Sequence, residues 1–175
     1  SSGDILGWEA LARGPRDGYF HCPDVLFDFA EQAGRLFALE KACREAAIRN
    51  AAPLGPGQKL FLNIHPRTIC DPAFTRGETL KIAQAAGLDP AQVVFEITER
   101  HGVSDFGHLN RVLEHYRSQG YLVAVDDTGT GFSTLQAVAE LKPDFVKIDM
   151  CLVRCVDRDA VRLALVETLA AFADR

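Results

Sequence analysis

Leu122-Val123-Ala124-Val125-Asp126-Asp127-Thr128-Gly129-Thr130-Gly131-Phe132-Ser133-Thr134-Leu135 is an apolar run that ends abruptly in two adjacent carboxylates. The run is short, bounded by Gly120 and Gly129, and rich in β-branched residues, which predicts a buried strand. A small-residue loop follows, and a helix begins after it. Two neighbouring anions at the mouth of a buried strand repel each other and lose hydration unless a positive charge compensates. A divalent metal supplies such a charge, since Asp oxygens are hard ligands. Taken alone, a polar turn that caps the next helix explains the stretch about as well, because Asp, Gly and Thr are common turn residues.

On both sides of this stretch, strand and helix patterns alternate. Residues 5–13, ILGWEALAR, read as a strand ending in charge. After Pro23 the spacing of Val25, Leu26, Phe29 and Ala30 is helical, with Asp24 as N-cap and Gly34 as stop. A second helix covers 36–50, with Leu39, Cys43 and Ala47 on one stripe. Strands are predicted at 59–64, 92–98 and 144–148, and helices at 74–86, 104–119, 134–141 and 159–173. Ser104 is the expected N-cap of the 104–119 helix, and Gly87 and Gly120 are expected stops. The last helix is expected to put Val161, Leu165, Val166 and Leu169 on one face. Such alternation predicts an α/β fold with a parallel sheet covered by helices. Neither a G-x-G-x-x-G after the first strand nor a P-loop occurs, which leaves a barrel or an open doubly wound sheet.

The 175 residues suffice for one domain with a real core. Apolar residues make up 47% and charged residues 25%, as in a globular protein, and no apolar run is long enough to span a membrane. The net charge of -5 argues against unaided nucleic-acid binding. Five cysteines without a C-x-x-C pair argue against a zinc site or a disulfide framework, and reduced, mostly core-filling thiols in the cytoplasm are expected. Cys151 and Cys155 lie four apart, a spacing that puts both on one helix face.

The polar residues fall at telling positions. Glu9, Asn63, Glu96, Asp126 and Lys147 each lie at or near the C-terminal end of a separate predicted strand. In a (β/α) barrel those ends share one face, and that face carries the chemistry. Glu96 sits between Phe95 and Ile97, so it points to the opposite side of its strand. Lys147, between Val146 and Ile148, demands an anionic partner. Each residue also has a plainer role open to it: solvated edge for Glu9, turn cap for Asn63, ion pair for Glu96. None of the five histidines shows metal-ligand spacing, and His65, just past Asn63, is a candidate for the site mouth.

Five segments, in order, resemble the EAL domain, the cyclic di-GMP phosphodiesterase family. Glu9-Ala10-Leu11-Ala12-Arg13 is similar to E-x-L-x-R, Leu62-Asn63-Ile64 to the asparagine strand, and Glu96-Ile97-Thr98-Glu99 to E-x-T-E. Residues Asp126 to Gly131 are similar to D-D-F-G-T-G, with Thr128 in place of Phe, and Lys147-Ile148-Asp149 to K-I-D. The resemblance implies a TIM-like (β/α) barrel that hydrolyses cyclic di-GMP to linear pGpG with Mg²⁺ or Mn²⁺. It implies one metal on Glu9, Asn63, Glu96 and Asp126, and a second bridged by Asp126 with Asp127 as ligand. It gives Lys147 and Asp127 catalytic roles, Leu11 and Arg13 substrate contacts, and Glu99 and Thr128 the anchoring of the loop that follows. The family's opening Q-P-I-V-type strand and its late A-E-G-V-E and Q-G-Y segments have no counterpart, so the barrel is expected to be incomplete. A homodimer in the cytoplasm, with regulatory or sensory domains elsewhere in a longer protein, is implied too. The alternative from the same resemblance is an inactive cyclic di-GMP receptor or dimerisation module.

Overall fold

The computed structural model describes residues 3–51, 53–69, 77–98, 105–128 and 132–173. Five strands, β1 (Gly7–Ala10), β2 (Lys59–Ile64), β3 (Val93–Thr98), β4 (Leu122–Thr128) and β5 (Phe145–Ile148), form one sheet in the order β1-β2-β3-β4-β5. Every pairing is parallel. Helices α1 (Pro23–Gln32) and α2 (Leu36–Asn50) link β1 to β2, and α3 (Pro66–Ile69) and α4 (Glu78–Ala85) lie between β2 and β3. Then α5 (Phe106–Arg117) precedes β4, α6 (Phe132–Leu141) precedes β5, and α7 (Met150–Val153) and α8 (Ala160–Ala173) end the chain.

Strand alternation divides the sheet into two faces. Leu60, Leu62, Ile64, Val93, Phe95, Ile97, Val123 and Val125 pack outward beneath the helices with Ile48, Leu109, Leu113 and Leu141. Phe95 anchors this layer, stacked on Tyr121 at 4.9 Å and edge-on to Tyr116 at 5.2 Å. On the other face, Phe61, Val94 and Ala124 form a second cluster with Leu122 and Phe145.

That second face is concave. Phe61 of β2 and Phe145 of β5 stack edge-on at 5.6 Å, although flat strands three places apart would lie roughly 14 Å apart. Glu9 of β1 and Lys147 of β5 meet at 3.2 Å, where a flat sheet would separate them by roughly 19 Å. The sheet therefore curls into the partial TIM-like barrel that the family resemblance implied, where strand-helix alternation alone left a barrel or an open doubly wound sheet.

Gly7 fits the curl sterically. A Cβ there would lie 2.3 Å from the Lys59 carbonyl oxygen and 2.9 Å from Phe61 Cε2. Gly7→Ala is expected to lower stability by about 1–3 kcal/mol, read as a lower urea midpoint; an unchanged midpoint would contradict the tight fit.

Several sequence expectations need correction. Asp24 does not cap α1: Cys22 holds the cap position and Pro23 is the first helical residue, which its fixed φ favours. Asp105 caps α5 by accepting the His108 N–H at 2.8 Å, while Ser104 lies outside the described residues. The buried stripe of α2 is Glu40, Arg44 and Ile48, not Leu39, Cys43 and Ala47, because Glu40 turns inward to accept the His65 N–H and the Thr68 hydroxyl. Cys22, Cys151 and Cys155 are exposed and Cys43 half-buried, so the described thiols do not fill the core. Cys151 and Cys155 do not share a helix, since α7 ends at Val153 and Cys155 adopts φ 57. In α8 no described residue is buried, and Val161 and Leu165 face outward.

Candidate active site

On the concave face a polar layer stands two residues beyond the apolar one. Phe61 is followed by Asn63, Val94 by Glu96, Ala124 by Asp126 and Phe145 by Lys147. Side chains two apart on a strand share a face, so each polar residue stands one step nearer the C-terminal rim. The register is staggered: Asn63 pairs with Glu96, but Glu9 pairs with Phe61 and Glu96 with Ala124, an offset that comes with strands tilted in a curled sheet.

The curl then brings four strands to one point. Lys147 Nζ lies 2.6 Å from Glu96 Oε1, 3.2 Å from Glu9 Oε2 and 3.4 Å from Asp126 Oδ1. Asn63 Nδ2 donates to Glu9 Oε1 at 3.0 Å. Carboxylate oxygens of Glu9, Glu96 and Asp126 all lie within 4.8 Å of one another. Three carboxylates around one ammonium leave the cluster negative.

Burial sharpens the conflict. The Glu96 side chain is fully buried, while Lys147 is 31% and Glu9 35% exposed. Burial pushes the Glu96 carboxyl up to about 7; Lys147 opposes this, and Glu9 and Asp126 reinforce it. Burial also works against the Lys147 charge, but its bond to Glu96 and the charges of Glu96, Asp126 and Glu9 outweigh that and hold it above the ordinary lysine range. A carboxyl this buried and outnumbered by like charges calls for more positive charge than one lysine supplies. An all-oxygen set of carboxylates and an amide fits a hard divalent cation.

Asp127 is set apart from Asp126 by a bulge. The β4–β5 register shifts between Val125 and Thr128, and Asp127 takes φ 54, a left-handed geometry that Asp tolerates better than most residues. The strand thus runs through both carboxylates, not up to them. Asp127 lines a cavity of about 950 Å³ together with Glu9, Asn63, Asp126, Leu11 and Arg13. Leu11 and Arg13 are exposed there. Thr128 is the last residue of β4 and fully buried, not part of a loop, and its carbonyl accepts the Asp149 N–H at 3.1 Å. Glu99 lies outside the described residues.

His65 is buried, and its Nδ1 accepts the Arg67 N–H at 3.1 Å. The sequence reading missed Glu40. It sits on the buried face of α2, and burial pushes its carboxyl up to about 7 against the Thr68 hydroxyl, the His65 N–H and the Arg44 charge. A charged pair spaced i, i+4 among the Phe37 and Ile48 positions was the available signal.

Glu40 and Glu96 give metal-free stability a pH dependence of definite sign. Both carboxyls have folded-state values near 7 against the usual 4.5. The folded chain therefore holds these protons more tightly than the unfolded one. Their contribution is complete below the unfolded value and is lost as pH rises through the folded one. Thermal stability in EDTA is expected to fall from about pH 5 to about pH 8, and less steeply in Glu96→Gln. A melting temperature that climbed across that window would overturn the assignment.

A curled parallel sheet with an acidic, lysine-bearing rim at its strand C-termini has its polar cluster where (β/α) barrel enzymes carry their active sites. The EAL domain family model matches residues 1–175, and the chain belongs to that family. It is 29% identical over 163 residues to the probable cyclic di-GMP phosphodiesterase PdeG of Escherichia coli, covering 90% of this chain and 32% of that protein. Klebsiella pneumoniae BlrP1, solved as a calcium/cyclic di-GMP complex, matches 97% of this chain over 42% of its own with a TM-score of 0.83 and 28% identity. A standalone EAL protein from Vibrio cholerae O395, solved in a cyclic di-GMP-bound form, matches 97% of this chain over 70% of its own, with a TM-score of 0.79 and 32% identity. The chain spans about a third of the length of curated relatives such as PdeG. Among the described residues, no helix is long and apolar enough to cross a membrane.

Proposed function

We propose that the protein containing this chain hydrolyses cyclic di-GMP to linear pGpG with Mg²⁺ or Mn²⁺. The carrying observation is the convergence of Glu9, Glu96 and Asp126 on Lys147 Nζ, each from a different strand. Membership of the EAL family and the cyclic di-GMP-bound neighbours support it.

In this reading Glu9, Asn63, Glu96 and Asp126 hold one divalent cation, and Asp126 and Asp127 contribute to a second. Bound cations neutralise phosphate charge and acidify a nucleophilic water. Lys147 stays protonated among the carboxylates and offers its ammonium to the charge that develops on the phosphoryl oxygens. Asn63 orients Glu9 through its amide N–H. Arg13, exposed at the cavity edge, offers a bidentate donor to a phosphate or a guanine edge, and Leu11 offers apolar contact. The family resemblance assigns Glu99 and Thr128 to anchoring the segment after β4. A homodimer, further regulatory segments and a cytoplasmic location accompany this reading as family expectations. The intact acidic set with its lysine favours hydrolysis over a binding-only module.

The test is incubation of the full-length protein with cyclic di-GMP and Mn²⁺ or Mg²⁺, with chromatography of the product. Formation of pGpG is expected. Tight cyclic di-GMP binding without product under either metal at any pH would transfer the site to a receptor.

A further inference from the structure

We infer that Glu40 is a positioning residue for the metal centre, acting from the helix layer on the arm that carries Asn63. The inference rests on the proposed metal-binding role of Asn63 and goes beyond it.

The Glu40 side chain reaches from α2 to the turn between β2 and α3. Its Oε1 accepts the His65 N–H at 2.8 Å, and its carboxylate accepts the Thr68 hydroxyl. Glu40, His65 and Thr68 are all buried. One carboxylate thus ties the start of that turn to the first turn of α3, where Thr68 and Ile69 also donate their N–H groups to the His65 carbonyl. The ladder to β3 ends at Ile64, so nothing in the sheet fixes the chain beyond it. Asn63 stands two residues before the clamped N–H and must hold its amide against Glu9. A ligand arm at a strand end needs an outer partner to fix it, and loss of such partners typically weakens metal binding about 10–100-fold. Arg44, one helical turn along, adds a smaller favourable charge beside the hydrogen bonds from Thr68 and His65.

Glu40→Gln and Glu40→Ala separate positioning from plain stability. Gln keeps an acceptor oxygen for His65 but removes the charge facing Arg44. It is expected to stay folded and to hold Mn²⁺ within about 2-fold of the parent. Ala removes the acceptor, and Mn²⁺ affinity is expected to fall about 10-fold or more. Thr68→Val keeps the shape, loses one bond of the clamp, and guards against an unfolded Glu40→Ala; a weakening of about 3-fold is expected. The measurement is calorimetric titration of the full-length, metal-stripped protein with Mn²⁺ alone, beside thermal melts. Parental Mn²⁺ affinity in folded Glu40→Ala or in Thr68→Val would overturn the inference while leaving the site intact. A parent that binds no Mn²⁺ would instead remove the metal centre on which it rests.

Discussion

Glu9→Ala in the full-length protein is expected to reduce cyclic di-GMP turnover by ~10³-fold, more than the 10–100-fold typical of an outer-shell partner. Glu9 is the one contribution of β1 to the polar layer, and it meets both Asn63 Nδ2 and Lys147 Nζ. Truncation therefore takes away a carboxylate of the proposed metal set and releases the two side chains that it meets. The loss belongs in kcat, because metal and attacking water act on the reaction step more than on nucleotide binding. Folding should survive, since the Glu9 side chain is 35% exposed and bonds to the rim residues Asn63 and Lys147. The checks are steady-state kinetics with Mn²⁺ and a thermal melt of the same sample. A folded Glu9→Ala with parental kcat would remove Glu9 from the site.

Lys147→Met separates charge from packing and has two effects of opposite sign. The thioether replaces the stem, but three carboxylates lose their ammonium. One of them, Glu96, is fully buried, and stranding a buried charge costs about 3–5 kcal/mol. Protonation of Glu96 limits the cost at low pH, so the destabilisation is expected above about pH 7 in EDTA. Added Mn²⁺ should restore the lost stability and bind more tightly than in the parent, because no ammonium competes for the carboxylates. Turnover should nevertheless collapse, since the phosphoryl charge loses its fixed cation. Weaker Mn²⁺ binding in Lys147→Met would show that the lysine organises the carboxylates and does not merely neutralise them.

Much of the fold was legible because strand and helix periods are local properties. The predicted strands at 59–64, 92–98 and 144–148 and the helix at 36–50 lie within a residue or two of those observed. The polar layer was legible because Glu96 and Lys147 interrupt apolar strands, and an interruption of period two has a fixed side. What failed was decided by partners distant in sequence. Apolarity alone chose Leu39, Cys43 and Ala47 as the stripe of α2, yet the His65 N–H and the Thr68 hydroxyl, distant in sequence, draw Glu40 inside. The bulge at Asp127 left no mark in composition, because a register shift is a property of the pair β4 and β5. The exposed cysteines misled for a similar reason: a thiol is apolar enough for a core but small enough to leave outside it.

By itself the sequence determined which side chains share a face: alternation commits Asn63 with Phe61, Glu96 with Val94, Asp126 with Ala124 and Lys147 with Phe145. Only the tertiary structure decided that these faces meet. Five flat strands would hold Glu9 and Lys147 too far apart to touch, and the curl of the sheet brings them to 3.2 Å. That curl comes from strand twist and from helices packed on one side, with glycine at position 7 where the neighbouring strand crowds in. These are sums over many residues, so no single stretch of the chain announces them.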